Sequence, residues 1–280
     1  MIIHSHTNTY RCIKLINEGG FGSIYKATDL QNNKTVIVKI EKKESLINEI
    51  DIYNHIKQYN NVGYPTLYDY VINDHHKMII LQELGSSLSQ LFIQFKKFSL
   101  KTTIQCGLQM LTRIQTLHEF GIVHHDIKPS NFAFDLNDKT IYLFDFGLSE
   151  FYMIDGIHRD IQHIDKMNGT YQYSSRNVHQ GILYSRRDDL ESWIYILIKF
   201  LKGFLPWQHV KPSKQILHLK KTFTAQRLTK HLPYQFYLML VYIKNLSYKQ
   251  NPDYNLLKRY LCECAKDAHI VCDDDYDIIL

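Results

Sequence analysis

The sequence predicts an α+β fold in two lobes: a small antiparallel sheet carrying one helix, then a larger, mainly helical lobe. Three observations predict it. Apolar and polar residues alternate with a strand period in much of the stretch up to Leu81. Beyond Gly85 the apolar residues recur at helical intervals, and no Pro/Gly/Ser-rich linker separates the two patterns. Residues 1–280 are therefore expected to form one domain, with an N-lobe over about 1–84, a C-lobe over about 85–272 and a short acidic tail at 273–280. A chain of 280 residues can bury a full core.

Tyr10–Ile16, Ser23–Thr28 and Thr35–Ile40 read as strands around turn-like stretches such as Gln31-Asn32-Asn33. Ser45 to Tyr59 switches to helical spacing, with Leu46, Ile50, Tyr53 and Ile56 on one face. Met78–Leu81 suits a short buried strand. Thr102–Phe120 places Ile104, Leu108, Leu111, Ile114 and Leu117 at helical intervals, and Gly121 is a plausible terminator. Leu190–Leu201 and Gln235–Leu246 read as further helices. The most apolar stretch, Trp193 to Trp207, carries Lys199 and Lys202 and breaks at Gly203 and Pro206, which fits a buried helix and not a membrane span. Asp273 to Asp277 reads as a solvated tail; a weaker alternative folds it over a basic substrate face as an internal competitor.

Hydrophobic residues make up 45% and charged residues 22%, as in an ordinary soluble protein. A net charge of +5 suits acidic or phosphorylated partners and falls short of a nucleic-acid footprint. The five cysteines follow no framework spacing and no signal peptide precedes them, so reduced thiols and an intracellular, cytoplasmic or nuclear place are expected. Cys262 and Cys264 lie two apart in a helical pattern and point to different sides, which argues against zinc with His269 and Cys272.

The chemistry is concentrated in His124-His125-Asp126-Ile127-Lys128-Pro129-Ser130-Asn131, followed by Asp145-Phe146-Gly147. Phosphoryl transfer requires a group that orients the attacking hydroxyl, oxygen donors for magnesium and cations that damp charge on the phosphate. Protein kinases meet these needs with H-R-D-x-x-x-x-N and a later D-F-G. On that pattern Asp126 is the base, Lys128 neutralises the transferring phosphate, and Asn131 and Asp145 hold magnesium. Ile16 to Tyr25 resembles the glycine-rich phosphate loop, with Ile16, Gly19, Gly20, Phe21, Gly22 and Ile24 against the nucleotide. Asn17 takes the place of its first glycine; asparagine tolerates left-handed backbone, so the loop is expected to survive at a cost of about 1 kcal/mol. Val36-Ile37-Val38-Lys39 resembles the V-A-I-K strand: Lys39 would reach the α- and β-phosphates, Glu49 would hold it in place, and Ile37 would tighten the adenine slot.

Nearly the whole chain resembles the casein kinase I family of Ser/Thr protein kinases. Gly169-Thr170 with Tyr173, Ser175, Asn177 and His179, then SRRDDLES at 185–192, stand where other kinases carry A-P-E. Leu205-Pro206-Trp207-Gln208, Asn251-Pro252-Asp253-Tyr254, and Val62-Gly63 with Pro65-Thr66 match as well. The related vaccinia-related kinases share the SRR…DLE pattern but tend to place glycine before the catalytic Asp. The resemblance implies the bilobal protein kinase fold, ATP and Mg2+ as cofactors, and protein substrates, acidic or pre-phosphorylated. It makes Leu81 the gatekeeper and puts adenine on the backbones of Gln82 and Leu84. A monomer is expected, with no specific nucleic acid and no membrane partner.

The chain also departs from the pattern. His125 replaces the arginine of H-R-D, and between Leu148 and Gly169 only Ser149 carries a Ser/Thr hydroxyl, so activity without activation-loop phosphorylation is expected. The family's anion pocket would fall at Gln172, His209 and His218, with Arg176, Lys211, Lys214, Lys220 and Lys221 near enough in sequence to compensate. The histidines would strengthen anion binding below about pH 6.5. Asn17, Ile37 and His125 keep a rival reading alive, a pseudokinase scaffold without turnover. A nucleic-acid-binding module is a further rival, which lacks an aromatic-basic stacking motif.

Overall fold

The computed structural model describes the chain except for residues 6, 20, 21, 42–44, 60, 61, 74–76, 212, 274, 275, 279 and 280. Gly20 and Phe21, expected against the nucleotide, therefore lie outside the described residues.

The small lobe is a six-stranded sheet of β1 (Ile2–His4), β2 (Thr9–Gly19), β3 (Gly22–Asp29), β4 (Thr35–Glu41), β5 (Leu67–Ile72) and β6 (Lys77–Gln82). It is antiparallel throughout, in the order β1-β2-β3-β4-β6-β5. Helix α1 (Ser45–Ile56) lies between β4 and β5. It stops at Ile56, short of the Tyr59 expected, and Tyr59 instead stacks on Phe120 at 4.5 Å. Asn17 is corrected as well. It is extended in β2, paired with Ile24, and is absent from the left-handed residues, so the expected backbone cost does not arise. Gly22 does need to be glycine: at φ +151 its Cβ would sit 2.0 Å from the Ile40 carbonyl oxygen.

The large lobe contains α2 (Leu88–Phe95), α3 (Leu100–Glu119), β7 (Ile122–Val123), β8 (Phe132–Phe134), β9 (Ile141–Leu143), β10 (Glu150–Phe151), β11 (Met153–Ile154) and β12 (Ile157–His158). Then follow α4 (Arg176–His179), α5 (Arg186–Lys202), α6 (Ser213–Thr222), α7 (Ala225–Leu228), α8 (Tyr234–Lys244) and α9 (Tyr254–Asp267). Side-chain caps start several helices: Ser87 forms a capping box with Gln90 at α2, and Ser99 and Asp253 cap α3 and α9. Helix α5 is buried along most of its length, Trp193, Tyr195 and Phe200 included, so it runs through the core instead of lying on it. The helix ends at Lys202, at the break expected there, where Gly203 takes a left-handed cap.

One core runs through both lobes. Ile50, Tyr53 and Leu81 of the small lobe join Leu117, Phe146 and Trp193 in a single cluster, while Tyr10, Val36, Val38 and Ile80 form a second, smaller cluster inside the sheet. Among the described residues no helix is long and apolar enough to cross a membrane.

The solvated-tail expectation holds for the exposed carboxylates of Asp273 and Asp277 but fails at Tyr276. Tyr276 is buried edge-on to Phe134 at 5.1 Å, and its hydroxyl accepts from Gln109 at 2.8 Å. Asp277 accepts from the hydroxyls of Ser99 and Thr102 at the start of α3, and Asp273 pairs with Lys101 at 2.9 Å. The positive end of the α3 dipole and two hydroxyl donors draw the acidic segment onto the core. These contacts of Asp273, Tyr276 and Asp277 are with α3 and β8 and not with the cleft.

Candidate active site

Strand alternation puts Val36 and Val38 into the small-lobe core and turns Ile37 and Lys39 to the opposite face. There the Lys39 ammonium lies 2.7 Å from Glu49, 3.0 Å from Asp145 and 3.2 Å from Glu41. Burial works against its charge, but Glu49, Asp145 and Glu41 outweigh that and raise its pKa, so it stays protonated. Burial pushes Glu49 up to about 7 against the pull of Lys39. For Asp145 burial also acts upward, yet Lys39 prevails and the carboxyl falls below its usual range.

The catalytic loop joins β7 to β8 and is suspended from α5. The fully buried Asp189 carboxylate accepts the backbone N–H groups of His124 at 2.7 Å and His125 at 3.1 Å, and contacts His118 Nε2 at 3.0 Å. His118 Nδ1 in turn lies 2.6 Å from the Tyr254 hydroxyl. Burial opposes ionisation of Asp189, but His118 and these donors lower its pKa. Asp189, within SRRDDLES, was not among the site residues expected from the sequence. Loop geometry then places Asp126: Lys128 donates to Oδ2, and Oδ1 accepts the Thr170 N–H at 2.9 Å and the Thr170 hydroxyl at 2.7 Å. Gly169 makes that approach possible, since at φ +91 a Cβ would meet the His125 carbonyl oxygen at 2.9 Å. The Asn131 amide nitrogen donates to the Asp126 carbonyl at 3.0 Å, which leaves the amide oxygen as its donor for a cation.

A cavity of about 290 Å³ brings together Gly19, Gly22, Ile24, Lys39, Asp126, Lys128 and Asp145. Glu49 and Asn131 stand behind it, bonded to lining residues. The adenine-side candidates do not line it. Ile16 is exposed, Ile37 pairs with Leu81 across β4 and β6, Leu84 is half-buried, and the Gln82 N–H donates to the Thr66 carbonyl at 2.9 Å. The donor chemistry fits magnesium: a carboxylate and an amide oxygen are hard ligands, and a small octahedral ion takes its remaining oxygens from phosphate and water. Among the described residues there is no cluster of His, Cys, Asp and Glu that could hold a metal without such help, zinc at Cys262 and Cys264 included.

Two expected compensators in the anion pocket are committed elsewhere. Arg176 pairs with the buried Glu191 at 3.1 Å, and Lys220 is buried on backbone carbonyls. His218, Lys211, Lys214 and Lys221 are exposed. Gln172 and His209 both line a shallow depression, together with Lys199, which was not among the expected pocket residues.

These features define a protein kinase: the protein kinase domain family matches residues 10–267. The chain is 34% identical to a probable casein kinase I homolog of Encephalitozoon cuniculi, over 97% of this chain and 94% of that protein. It is 32% identical to casein kinase I homolog 2 of Schizosaccharomyces pombe, over 97% of this chain and 66% of that longer protein. The chain belongs to the casein kinase I family of Ser/Thr protein kinases, as a divergent member.

Proposed function

We propose that the chain is an active protein Ser/Thr kinase that uses ATP and Mg2+ and needs no activation-loop phosphorylation. The observation that carries this reading is the convergence of Lys39, Asp126, Lys128 and Asp145 on one cavity with the Lys39–Glu49 pair closed. ATP supplies the γ-phosphoryl group, and magnesium neutralises its oxygens. Asp126 orients the substrate hydroxyl and takes its proton as the new P–O bond forms and the bond to the leaving ADP oxygen breaks. Lys39 holds the α- and β-phosphates, Lys128 steadies the transferring group, and Asn131 and Asp145 hold the metal.

Independence from a loop phosphate is supported by two positions. His125 is buried, stacked on Tyr184 at 4.2 Å, and pushed by burial down to about 4, so at neutral pH it is no phosphate receptor. Ser149, the hydroxyl nearest the D-F-G, is buried with its Oγ donating to the His124 carbonyl at 3.1 Å.

The substrates in this reading are acidic or pre-phosphorylated proteins, met by a monomer inside the cell, without nucleic acid or membrane. Lys199 supports the preference: its ammonium donates to the Tyr173 hydroxyl at 3.0 Å, lies over the Phe92 ring and lines the same depression as Gln172 and His209. The buried Gln172 Nε2 beside it lacks a partner among the described residues. At most about 7 Å of extended chain separates Gln172 from Thr170 on Asp126, within reach of a substrate residue near the accepting hydroxyl.

A radiolabelled ATP assay with acidic, pre-phosphorylated and basic peptides tests the reading. The expected results are magnesium-dependent transfer to the first two, a loss of about 10²–10⁴-fold in Asp126→Asn, and a raised KM for acidic peptides alone in Lys199→Met. A folded wild type that binds ATP without transfer would leave the pseudokinase scaffold suggested by Asn17, Ile37 and His125.

A further inference from the structure

We propose that Lys220, on α6, is a positioning residue for the protein substrate: its buried ammonium grips the carbonyls of Tyr171 and Ser174 and so sets the loop that begins at Thr170 against Asp126. The proposal rests on the kinase reading above and adds a residue to it.

Lys220 is only 1% exposed. Burying an ammonium is expensive, and an apolar residue of the same length would fill the space without that penalty. Its nearby carboxylate is already engaged, since Glu191 accepts from Arg176 and from the Tyr195 hydroxyl. Neutral acceptors hold Lys220 instead. Its Nζ lies 2.9 Å from the Tyr171 carbonyl, 2.6 Å from the Ser174 carbonyl and 3.2 Å from His179 Nε2. The faces of Tyr195 and Trp207 lie 5.2 and 5.3 Å away. At least two of its three N–H groups thus find acceptors, both of them carbonyls of the loop. His179 Nε2 also sits 3.0 Å from the Tyr171 oxygen, so the ring and the ammonium compete for that carbonyl.

The gripped segment adjoins the catalytic base. Thr170 donates twice to Asp126; Tyr173 N–H and the Ser174 hydroxyl fold back onto the Thr170 carbonyl at 2.9 and 3.0 Å; and Trp207 Nε1 donates to the Gln172 carbonyl at 2.8 Å. One end of the loop is therefore held by the base and the other by α6. Release at Lys220 moves the surface on which an acceptor peptide rests, whereas Lys39, Asp145 and the glycine hairpin stand on other elements. Binding of protein substrate should suffer and binding of ATP should not.

Protonation sharpens the test. Burial pushes Lys220 down to about 7. The charged or titratable groups around it are Arg176 and His179 on α4, Glu191 and Tyr195 on α5, and Tyr171 on the loop. Arg176 stays charged, Glu191 is lowered by Arg176 against burial, and burial drops His179 to about 4, so Lys220 alone changes charge near neutrality. Deprotonation removes the charge that strengthens its hydrogen bonds to the two carbonyls and loosens the loop.

The experiment compares wild type with Lys220→Met by steady-state kinetics, thermal unfolding and amide hydrogen exchange over 170–175. The expected result is a rise of about ten-fold or more in peptide KM, with ATP KM and melting temperature little changed and exchange over 170–175 faster. Between about pH 6 and 8 the wild-type peptide KM should rise while the variant's stays flat. Equal increases in both KM values, or an unchanged peptide KM, overturn the proposal. If Lys220→Met does not fold, the wild-type pH series decides, and a flat peptide KM with flat exchange overturns it. Should wild type fail to transfer phosphate at all, the kinase reading falls, and the exchange comparison still judges Lys220.

Discussion

At His125 the backbone turns to φ +69, a conformation that few side chains other than glycine and asparagine adopt cheaply. Its ring is stacked on Tyr184 and its Nε2 has no partner among the described residues. The folded protein keeps this imidazole neutral down to about pH 4, whereas the unfolded chain takes up a proton near pH 6.5. The folded-state pKa is lowered, so stability is fully present above about 6.5, declines as pH falls and levels off below about 4, a loss of up to about 3 kcal/mol. His118 and His179 are lowered too and add to the same limb. His125→Asn, which tolerates positive φ, should flatten that limb by the His125 share. Urea unfolding at several pH values between 7.5 and 4 checks this; parallel curves for wild type and variant would contradict it. The sequence showed that an arginine was missing here. That the histidine would be buried and strained depended on Tyr184 and Asp189, far along the chain.

The described residues of the C-terminal segment, Asp273, Tyr276 and Asp277, are tied into the fold by their side chains. Tyr276→Ala should cost about 2–4 kcal/mol, because a buried ring and its hydroxyl partner are lost, while the KM for acidic peptides stays put, since the segment lies on α3 and β8 and away from the cleft. Denaturant midpoints together with peptide kinetics test both halves. A variant as stable as wild type, or one with improved peptide KM, would count against the docking described. This element was illegible in the sequence for a physical reason: one tyrosine among aspartates has no periodicity, and its partners Ser99, Thr102 and Phe134 are remote. Strand β5 was hidden differently, because Tyr68, Tyr70 and Ile72 place apolar residues on the exposed face and erase the alternation. By contrast β2 to β4, α3 and the catalytic loop were legible because their signals are local. Lys220 and Arg176 were misjudged as available cations because charge in a sequence does not reveal burial.

Across the molecule the principal core does not stop at the boundary between lobes. Tyr53 on α1 meets Phe146 of the large lobe at 4.9 Å, and Tyr64 and Leu81 belong to the same cluster as Trp193. The two lobes should therefore unfold together. Fluorescence of Trp193 and Trp207, both in the large lobe, and far-UV circular dichroism, to which the small-lobe sheet contributes, should give coincident urea transitions; separated midpoints would mean that the lobes are independent. The Asp189 hook on the catalytic loop carries a related consequence. Because one carboxylate of the most enclosed helix suspends both amides of the turn that presents Asp126, that turn can be shifted only by disturbing the interior. On the function proposed above, control would fall to the rims of the cleft, where nucleotide and protein come and go.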